Sequence, residues 1–324
     1  MEIMKILVTG GLGFIGHELV SILEQQGHSV TIIDSTTNYN FIPKDELDAL
    51  VKERQSRITT KNIKLGDIRN KEYITTVIDS IKPNVVIHLA SFPRQKVVLE
   101  NPGMASEVMS TGLINLLESS RDVIDKFVYI SSSMVYGDFK DGVDEKAECN
   151  PIGQYAIMKL MGEQLVKDYN RQGHFDYTII RPSAVYGPRD VEDRVLSKFM
   201  LGAMRYETLQ IKGPTEILDF THVTDTAQGI ALAATKACKY DIYNITRCES
   251  KPITLEKAAL ACIDLVGQGS VELLDRDLNF PSRGRLNITR AIRDLGYNPT
   301  VNFSTGLQDY HDWIKNSEYW NDKL

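Results

Sequence analysis

Residues 5–16 read KILVTGGLGFIG, an apolar β-branched run that passes without a linker into Gly10-x-x-Gly13-x-x-Gly16. No other stretch restricts the fold as much. The apolar run reads as a buried strand, and the segment after it has helical spacing to about Gln26, with Gly27 as the stop. A tight turn after a strand wants no side chain, a backbone that approaches a pyrophosphate wants none either, and a helix packed on the strand wants the third glycine. Alone, such a triplet is equally a glycine-rich turn. Here it lies between strand and helix, and Asp34 ends the next strand, SVTIID (29–34). A carboxylate there can accept hydrogen bonds from both adenosine ribose hydroxyls of NAD and would repel the 2′-phosphate of NADP. The pattern predicts a dinucleotide site that prefers NAD. Asp67, just past the third strand, could reach the adenine edge or cap the following helix.

The first half continues in the same alternation. A charged stretch from Pro43 to Arg57 is expected as a surface helix. Strands are expected at NIKLG (62–66), 84–89, KFVYIS (126–131) and YTIIR (177–181), with helices near 70–81 and 103–120 between them. Apolar strands alternating with helices predict an α/β fold, a Rossmann-type doubly wound parallel sheet covered on both faces. After Arg181 the segments shorten and prolines punctuate them, which predicts a smaller, interleaved C-terminal substrate domain (182–324). Residues 222–245 are regular enough to return to the main sheet, so the dinucleotide domain is expected as 1–181 plus that segment.

Bulk properties remove several function classes. The formal charge of −6 and the lack of a basic run give no footprint for nucleic acid. No apolar run approaches the ~20 residues that cross a bilayer, and MEIMKILVTGG enters a strand without signal-peptide architecture. Cys149, Cys238, Cys248 and Cys262 have neither metal-ligand nor disulfide spacing. A cytoplasmic, metal-free protein of the reducing compartment is expected.

Three Tyr-x-x-x-Lys pairs occur in the chain. Tyr136 is followed by Gly137 and Asp138, turn residues that take Lys140 off any shared helical face. Tyr319 and Lys323 lie at the C-terminus, where chains fray. Tyr155 begins the helical run YAIMKLMGEQLVKDY, which puts Lys159 one turn along on the same face. An ammonium there would stabilise a phenolate and lower a pKa that is ~10 in water. Ser131, Ser132 and Ser133 end the strand KFVYI, where ligands of open α/β sheets collect, and one of them could hold a substrate hydroxyl while Tyr155 takes its proton.

These residues resemble the extended short-chain dehydrogenase/reductases, in the NAD-dependent epimerase/dehydratase branch. The resemblance spans nearly the whole chain: TGGLGFIG (9–16), GDIR (66–69), HLAS (88–91), SSSMVYG (131–137), YAIMK (155–159), RPSAVYGPR (181–189), DFTHVTD (219–225) and LGYNPTVNFSTGL (295–307). It implies NAD in the first domain and a nucleotide-sugar, UDP-linked, in the second. Tyr155 becomes the base, Lys159 its phenolate stabiliser and ribose ligand, and Ser132 the catalytic hydroxyl. NAD contacts are implied at Phe14 and Ile15 beside the glycines, at Ile68, Leu89 and Ala90 beyond the strands, and at Ser131 and Pro182.

Departures from the family pattern narrow the reaction. The 4,6-dehydratases of this branch follow the catalytic hydroxyl with Asp-Glu, whereas this chain has Ser133 and Met134. Elimination of water is thereby disfavoured. Met109 and Ala184 stand where asparagine is common, and Met158 where serine is usual. UDP-glucose 4-epimerase and its relatives resemble the chain best, which implies C4 epimerisation through a 4-keto sugar. A one-way 4-keto reductase or sugar dehydrogenase would use the same Tyr/Lys/Ser set, and a non-catalytic NAD-binding regulator could share the fold. Arg283 and Arg189 are the candidates for the substrate diphosphate, since a guanidinium fork fits phosphate oxygens. Ser133, Arg94 and Lys96 are assigned to the sugar, while His88 and His222 are read as structural. Helices 103–120 and 153–172 carry apolar residues (Met158, Met161, Leu165) that suit burial against the sheet. The resemblance implies instead a four-helix homodimer interface.

Overall fold

The computed structural model describes residues 3–37, 39, 41–238 and 241–324. The chain runs β1 (Lys5–Thr9), α1 (Phe14–Gln25), β2 (Ser29–Asp34), α2 (Lys44–Ser56), β3 (Ile63–Leu65), α3 (Lys71–Ile81) and β4 (Val85–His88). It continues through α4 (Gln95–Glu100), α5 (Pro102–Ser106), a π-helical stretch (Glu107–Gly112), α6 (Leu113–Ser120), β5 (Lys126–Ile130), α7 (Gln154–Arg171) and β6 (Asp176–Pro182). The C-terminal part comprises β7 (Val185–Tyr186), α8 (Val195–Met204), β8 (Thr208–Lys212), β9 (Thr221–His222), α9 (Val223–Thr235) and β10 (Ile242–Ile245). Last come α10 (Leu255–Val266), β11 (Ser270–Leu274), α11 (Thr289–Leu295), α12 (Phe303–Asn316) and α13 (Glu318–Asn321).

Seven strands form one parallel sheet in the order β10-β6-β5-β4-β1-β2-β3. The central strands are buried on both faces, so they read as continuous Val/Ile/Leu runs rather than alternating ones. At one edge, β3 has only three residues and an exposed Leu65 (65%); shortness and Lys64 keep that edge from pairing further. β10 closes the other edge against β6, pairing Ile242 with Ile179, and α9 packs on α1. The segment expected to rejoin the sheet does so, although its residues 239 and 240 lie outside the described ones. Two apolar clusters cover the faces, one with α1, α9 and α11, the other with α3, α6 and α7. A third, built on α8, α10 and α12, underlies the small parallel pair β8–β11.

The helix expected at 103–120 is interrupted. Its middle turns are π-helical, and Gly112 lies where a Cβ would stand 2.6 Å from Ile68 Cδ1. A π insertion adds a residue to one turn without erasing the apolar stripe, so periodicity does not reveal it.

α2 departs from the expected surface helix. Glu46 and Arg54 are buried (1% and 4% exposed) because residues 189–192 lie across them. Arg54 Nη2 donates to the Arg189 carbonyl at 2.6 Å, and Glu46 Oε1 accepts from the Glu192 N–H at 2.8 Å. Burial pushes the Glu46 carboxyl up to about 7. A carboxyl whose folded pKa is raised favours folding most below its unfolded value and loses that contribution as pH rises through the folded one. Glu46→Gln keeps the acceptor and removes the buried charge. Its stability relative to the parent is expected to be near parity at about pH 4.5 and to improve by on the order of 1–3 kcal/mol above about pH 7. Denaturant melts across that range check this; a pH-independent difference would contradict it.

Candidate active site

Between β1 and α1 the backbone is packed too closely for side chains. Gly10 has φ +75°, and a Cβ there would stand 2.7 Å from the Ala90 nitrogen. A Cβ on Gly13 would stand 3.0 Å from the Gly10 carbonyl oxygen, and one on Gly16 only 2.1 Å from it. The helix that follows has no side-chain cap and no acidic residue in its first turn. Its first N–H groups and the positive end of its dipole are therefore free for an anion. Asp34, at the end of β2, accepts from the Leu12 N–H at 2.9 Å and the Thr36 N–H at 2.8 Å. Burial raises its pKa, and these donors oppose the rise without cancelling it. A glycine cradle with one half-buried carboxylate at the neighbouring strand end fits a dinucleotide.

The cradle opens into a cleft of about 1200 Å³. Gly10, Gly13, Phe14, Ile15 and Gly16 line it, as do Asp34, Asp67, Ile68, Leu89, Ala90, Ser131 and Pro182. Two of these are less available than expected. The Asp67 carboxylate is gripped by Arg69 (Nη2 at 2.7 Å), which lowers its pKa. It does not cap α3, whose N-cap is Asn70, accepting from the Tyr73 N–H. The Ser131 hydroxyl donates to Glu163 at 2.6 Å, which leaves mainly its backbone for a ligand.

Further along the same cleft lie Ser132, Tyr155 and Lys159. Gly153, with φ +90°, turns the chain into α7, and the buried Gln95 side chain caps that helix by accepting from the Tyr155 N–H at 3.0 Å. Lys159 is one turn on, 5% exposed, its Nζ 5.8 Å from the Tyr155 ring centre. That amine donates to the Ile130 carbonyl at 2.8 Å, and burial pushes it down to about 7. Tyr155 is pushed above its ordinary value by burial, opposed by the charge of Arg194 and by hydrogen bonding with Ser132. Desolvation thus acts against both groups, and at Tyr155 the charge of Arg194 opposes it. Ser132 also accepts from the Met134 N–H at 3.2 Å.

Residues 6–246, well over half of the chain, match the sequence model of the NAD dependent epimerase/dehydratase family. The chain belongs to that family. NAD is the cofactor of the family, and the glycine cradle and Asp34 fit it. Among curated relatives, the UDP-glucuronate 4-epimerase of Thermodesulfobacterium geofontis is 28% identical, the match covering 95% of each chain. The human dTDP-D-glucose 4,6-dehydratase is 26% identical over 96% of this chain and 90% of its own. Among solved structures, the UDP-glucuronic acid 4-epimerase of Bacillus cereus, in complex with UDP-glucuronic acid and NAD, superposes with a TM-score of 0.86. It is 28% identical, over 96% of this chain and 99% of that one.

The remaining family positions divide sharply. Arg189 is not in the cleft. Its backbone takes φ +69°, and its guanidinium points to α1, donating to His17 Nε2 at 3.0 Å and Glu18 Oε1 at 2.9 Å. A loop residue with one charged partner on a neighbouring helix is lost to the ligand. Arg94 and Lys96 do line the cleft, but both are ion-paired with Asp193 (3.0 and 3.5 Å). Arg283 is the available cation: it lines the cleft, its Nε is buried without a hydrogen-bond partner, and burial pushes it down to about 10. Ser133 is fully buried, its hydroxyl also unpartnered. Ala184 takes φ +38°, a strained value for alanine, on the cleft wall. His88 bonds Thr9 at 2.8 Å within the core, and His222 caps α9, both structural as read. Arg194, Arg54 and Gln95 also line the cleft, and no local pattern in the sequence marks them. Among the described residues no helix is long and apolar enough to cross a membrane.

Proposed function

We propose that the protein is an NAD-dependent epimerase acting at C4 of a UDP-linked hexose. The observation that carries this reading is the sharing of one cleft by the glycine cradle, Tyr155 and Ser132. Next to Ser132, moreover, Ser133 and Met134 offer no ionisable group for the elimination of water. The names of two of the relatives, 4-epimerases of UDP-sugars, agree with it, and the 4,6-dehydratase among the relatives is set aside on the Ser133–Met134 pair. NAD, when bound, supplies the hydride acceptor and donor. Tyr155 Oη takes the proton from the sugar 4-hydroxyl and later returns it to the same oxygen. Ser132 Oγ holds that oxygen, and the charges of Lys159, Arg194 and the bound cofactor are assigned to offset the burial that raises the Tyr155 phenol. For the other face of C4 to be presented, the 4-keto sugar must turn while its diphosphate stays anchored, and Arg283 is assigned that anchor. Dinucleotide binding is assigned to residues 1–181 with 222–245, and substrate binding to the rest of 182–324.

Three measurements test the parts. On redox stoichiometry, epimerisation leaves the A340 signal unchanged over many turnovers; steady consumption of NADH or NAD would favour the one-way reductase or dehydrogenase that uses the same side chains. Asp34 predicts NADP(H) binding weaker than NAD(H) by about tenfold or more, roughly 1.4 kcal/mol; equal affinities in titration would refute its role. A homodimer through α5–α6 and α7 is proposed because Met104, Ile114 and Ile157 face outward there (42%, 38% and 53% exposed). Met158 and Leu165 instead pack on the sheet. A monomer in sedimentation at micromolar concentration would contradict that interface.

A further inference from the structure

One turn beyond Lys159, α7 carries Glu163, a carboxylate the proposed reaction does not use. It is 0% exposed, and both its oxygens are occupied. Oε1 accepts from the Ser131 hydroxyl at 2.6 Å and from Arg181 Nε at 2.9 Å, and Oε2 accepts from Arg181 Nη2 at 2.6 Å. Ser131 directly follows β5 and precedes Ser132, while Arg181 stands in β6, itself 2% exposed, over the Tyr136 ring at 4.7 Å. A single side chain thus ties the helix bearing Tyr155 to the ends of two strands, at the level of the serines.

A buried ion pair of this kind is a poor stabiliser, because desolvating both partners offsets most of their attraction. What it supplies is placement. A shift of α7 along β5 would break the short bonds to Ser131 and Arg181 together and leave buried charges unpaired. Ser132 and Tyr155 have to meet on the same substrate oxygen although they stand on different elements, and groups of that sort need a supporting shell that fixes their separation.

We propose that Glu163 is a positioning residue of this site, which holds Ser131, and through it Ser132, in fixed register with the Tyr155–Lys159 face of α7. The inference rests on the reading of Tyr155 as the base. The same carboxylate has an electrostatic consequence: burial depresses the Lys159 amine, and the charge of Glu163 opposes this. Facing Lys159 are also the Tyr129 and Tyr155 rings and His88 on β4, whose protonation the amine disfavours. Facing Glu163, besides Arg181, is Lys167 at 4.0 Å, and its charge is felt by Tyr129, Cys149 and Tyr177. Tyr155 itself faces Arg194 and Ser132.

Glu163→Gln alone strands the Arg181 charge and risks unfolding, so the informative variant is Glu163→Gln/Arg181→Met, beside Glu163→Asp. In the double variant kcat is expected to fall ~10-fold or more. NAD affinity should stay within a few-fold, and the limb of the kcat/KM profile set by the Lys159 amine should move to lower pH by about half a unit or more, because the Glu163 charge that favours the protonated amine is gone. Glu163→Asp keeps the charge but shortens the arm: kcat falls and the limb stays. Unchanged kcat in a folded double variant overturns the proposal. So does a variant in which melting temperature and NAD affinity drop together while the limb stays in place. The wild type is first assayed with UDP-hexoses, which tests the base reading separately. If it converts none, the Lys159 amine is titrated by NMR in both proteins, and an unshifted titration in the double variant overturns the proposal.

Discussion

Tyr155→Phe is expected to bind NAD with an affinity within a few-fold of the parent and to lose turnover by ~10²–10⁴-fold. The phenyl ring keeps the packing of a half-buried side chain at the second position of α7, and only the oxygen disappears. No neighbouring group can take over. Lys159 is committed to the Ile130 carbonyl, the Ser132 hydroxyl is too weak a base, and Arg194 is held by Asp190 at 3.5 Å and by the Val185 carbonyl at 3.1 Å. Steady-state rates with the best UDP-sugar, and NAD titration of the same preparation, check both halves. Turnover within tenfold of the parent would remove Tyr155 from the mechanism.

Gly16→Ala is expected to cost about 1–3 kcal/mol of stability or more, and to weaken NAD binding by about tenfold or more if the strain is relieved at the loop. The added methyl would stand 2.1 Å from the Gly10 carbonyl oxygen and 2.8 Å from Gly11 Cα, both backbone atoms that no rotamer change can move away. α1 must therefore back off β1, and its open N-terminus leaves the pyrophosphate position. Gly103→Ala is the control, since a Cβ there meets nothing within 4 Å; in helix α5 it should be neutral or stabilising by about 0.5–1 kcal/mol. Melts and NAD titrations of the two variants side by side decide it, and an unchanged Gly16→Ala protein would contradict the cradle.

The parts of this molecule legible in the sequence are those whose cause is local. The glycine loop, the buried strands and the Tyr155–Lys159 face each follow from a spacing of a few residues. Residues 208–212, TLQIK, carry a strand alternation as well, with Leu209 and Ile211 buried, but their partner β11 lies beyond two helices and cannot be read from either segment. Side-chain direction on loops was not legible at all. Arg189 and Arg283 look alike in sequence, yet one is captured by Glu18 on a helix about 170 residues away and the other is left free in the cleft. Burial of Arg54 and Glu46 likewise depends on a segment more than 130 residues further on. Glu163 shows the same limit, for its position on α7 is regular and only the strand ends it meets reveal its use.

The most direct test of the central claim uses a UDP-hexose deuterated at C4, incubated with the purified protein and NAD, with products followed by NMR. The account predicts that both C4 epimers accumulate to equilibrium with the deuterium still at C4, because one tyrosine proton and one hydride serve both directions within one cleft. Loss of the label from C4, or a 4-keto-6-deoxy product in place of the second epimer, would contradict it.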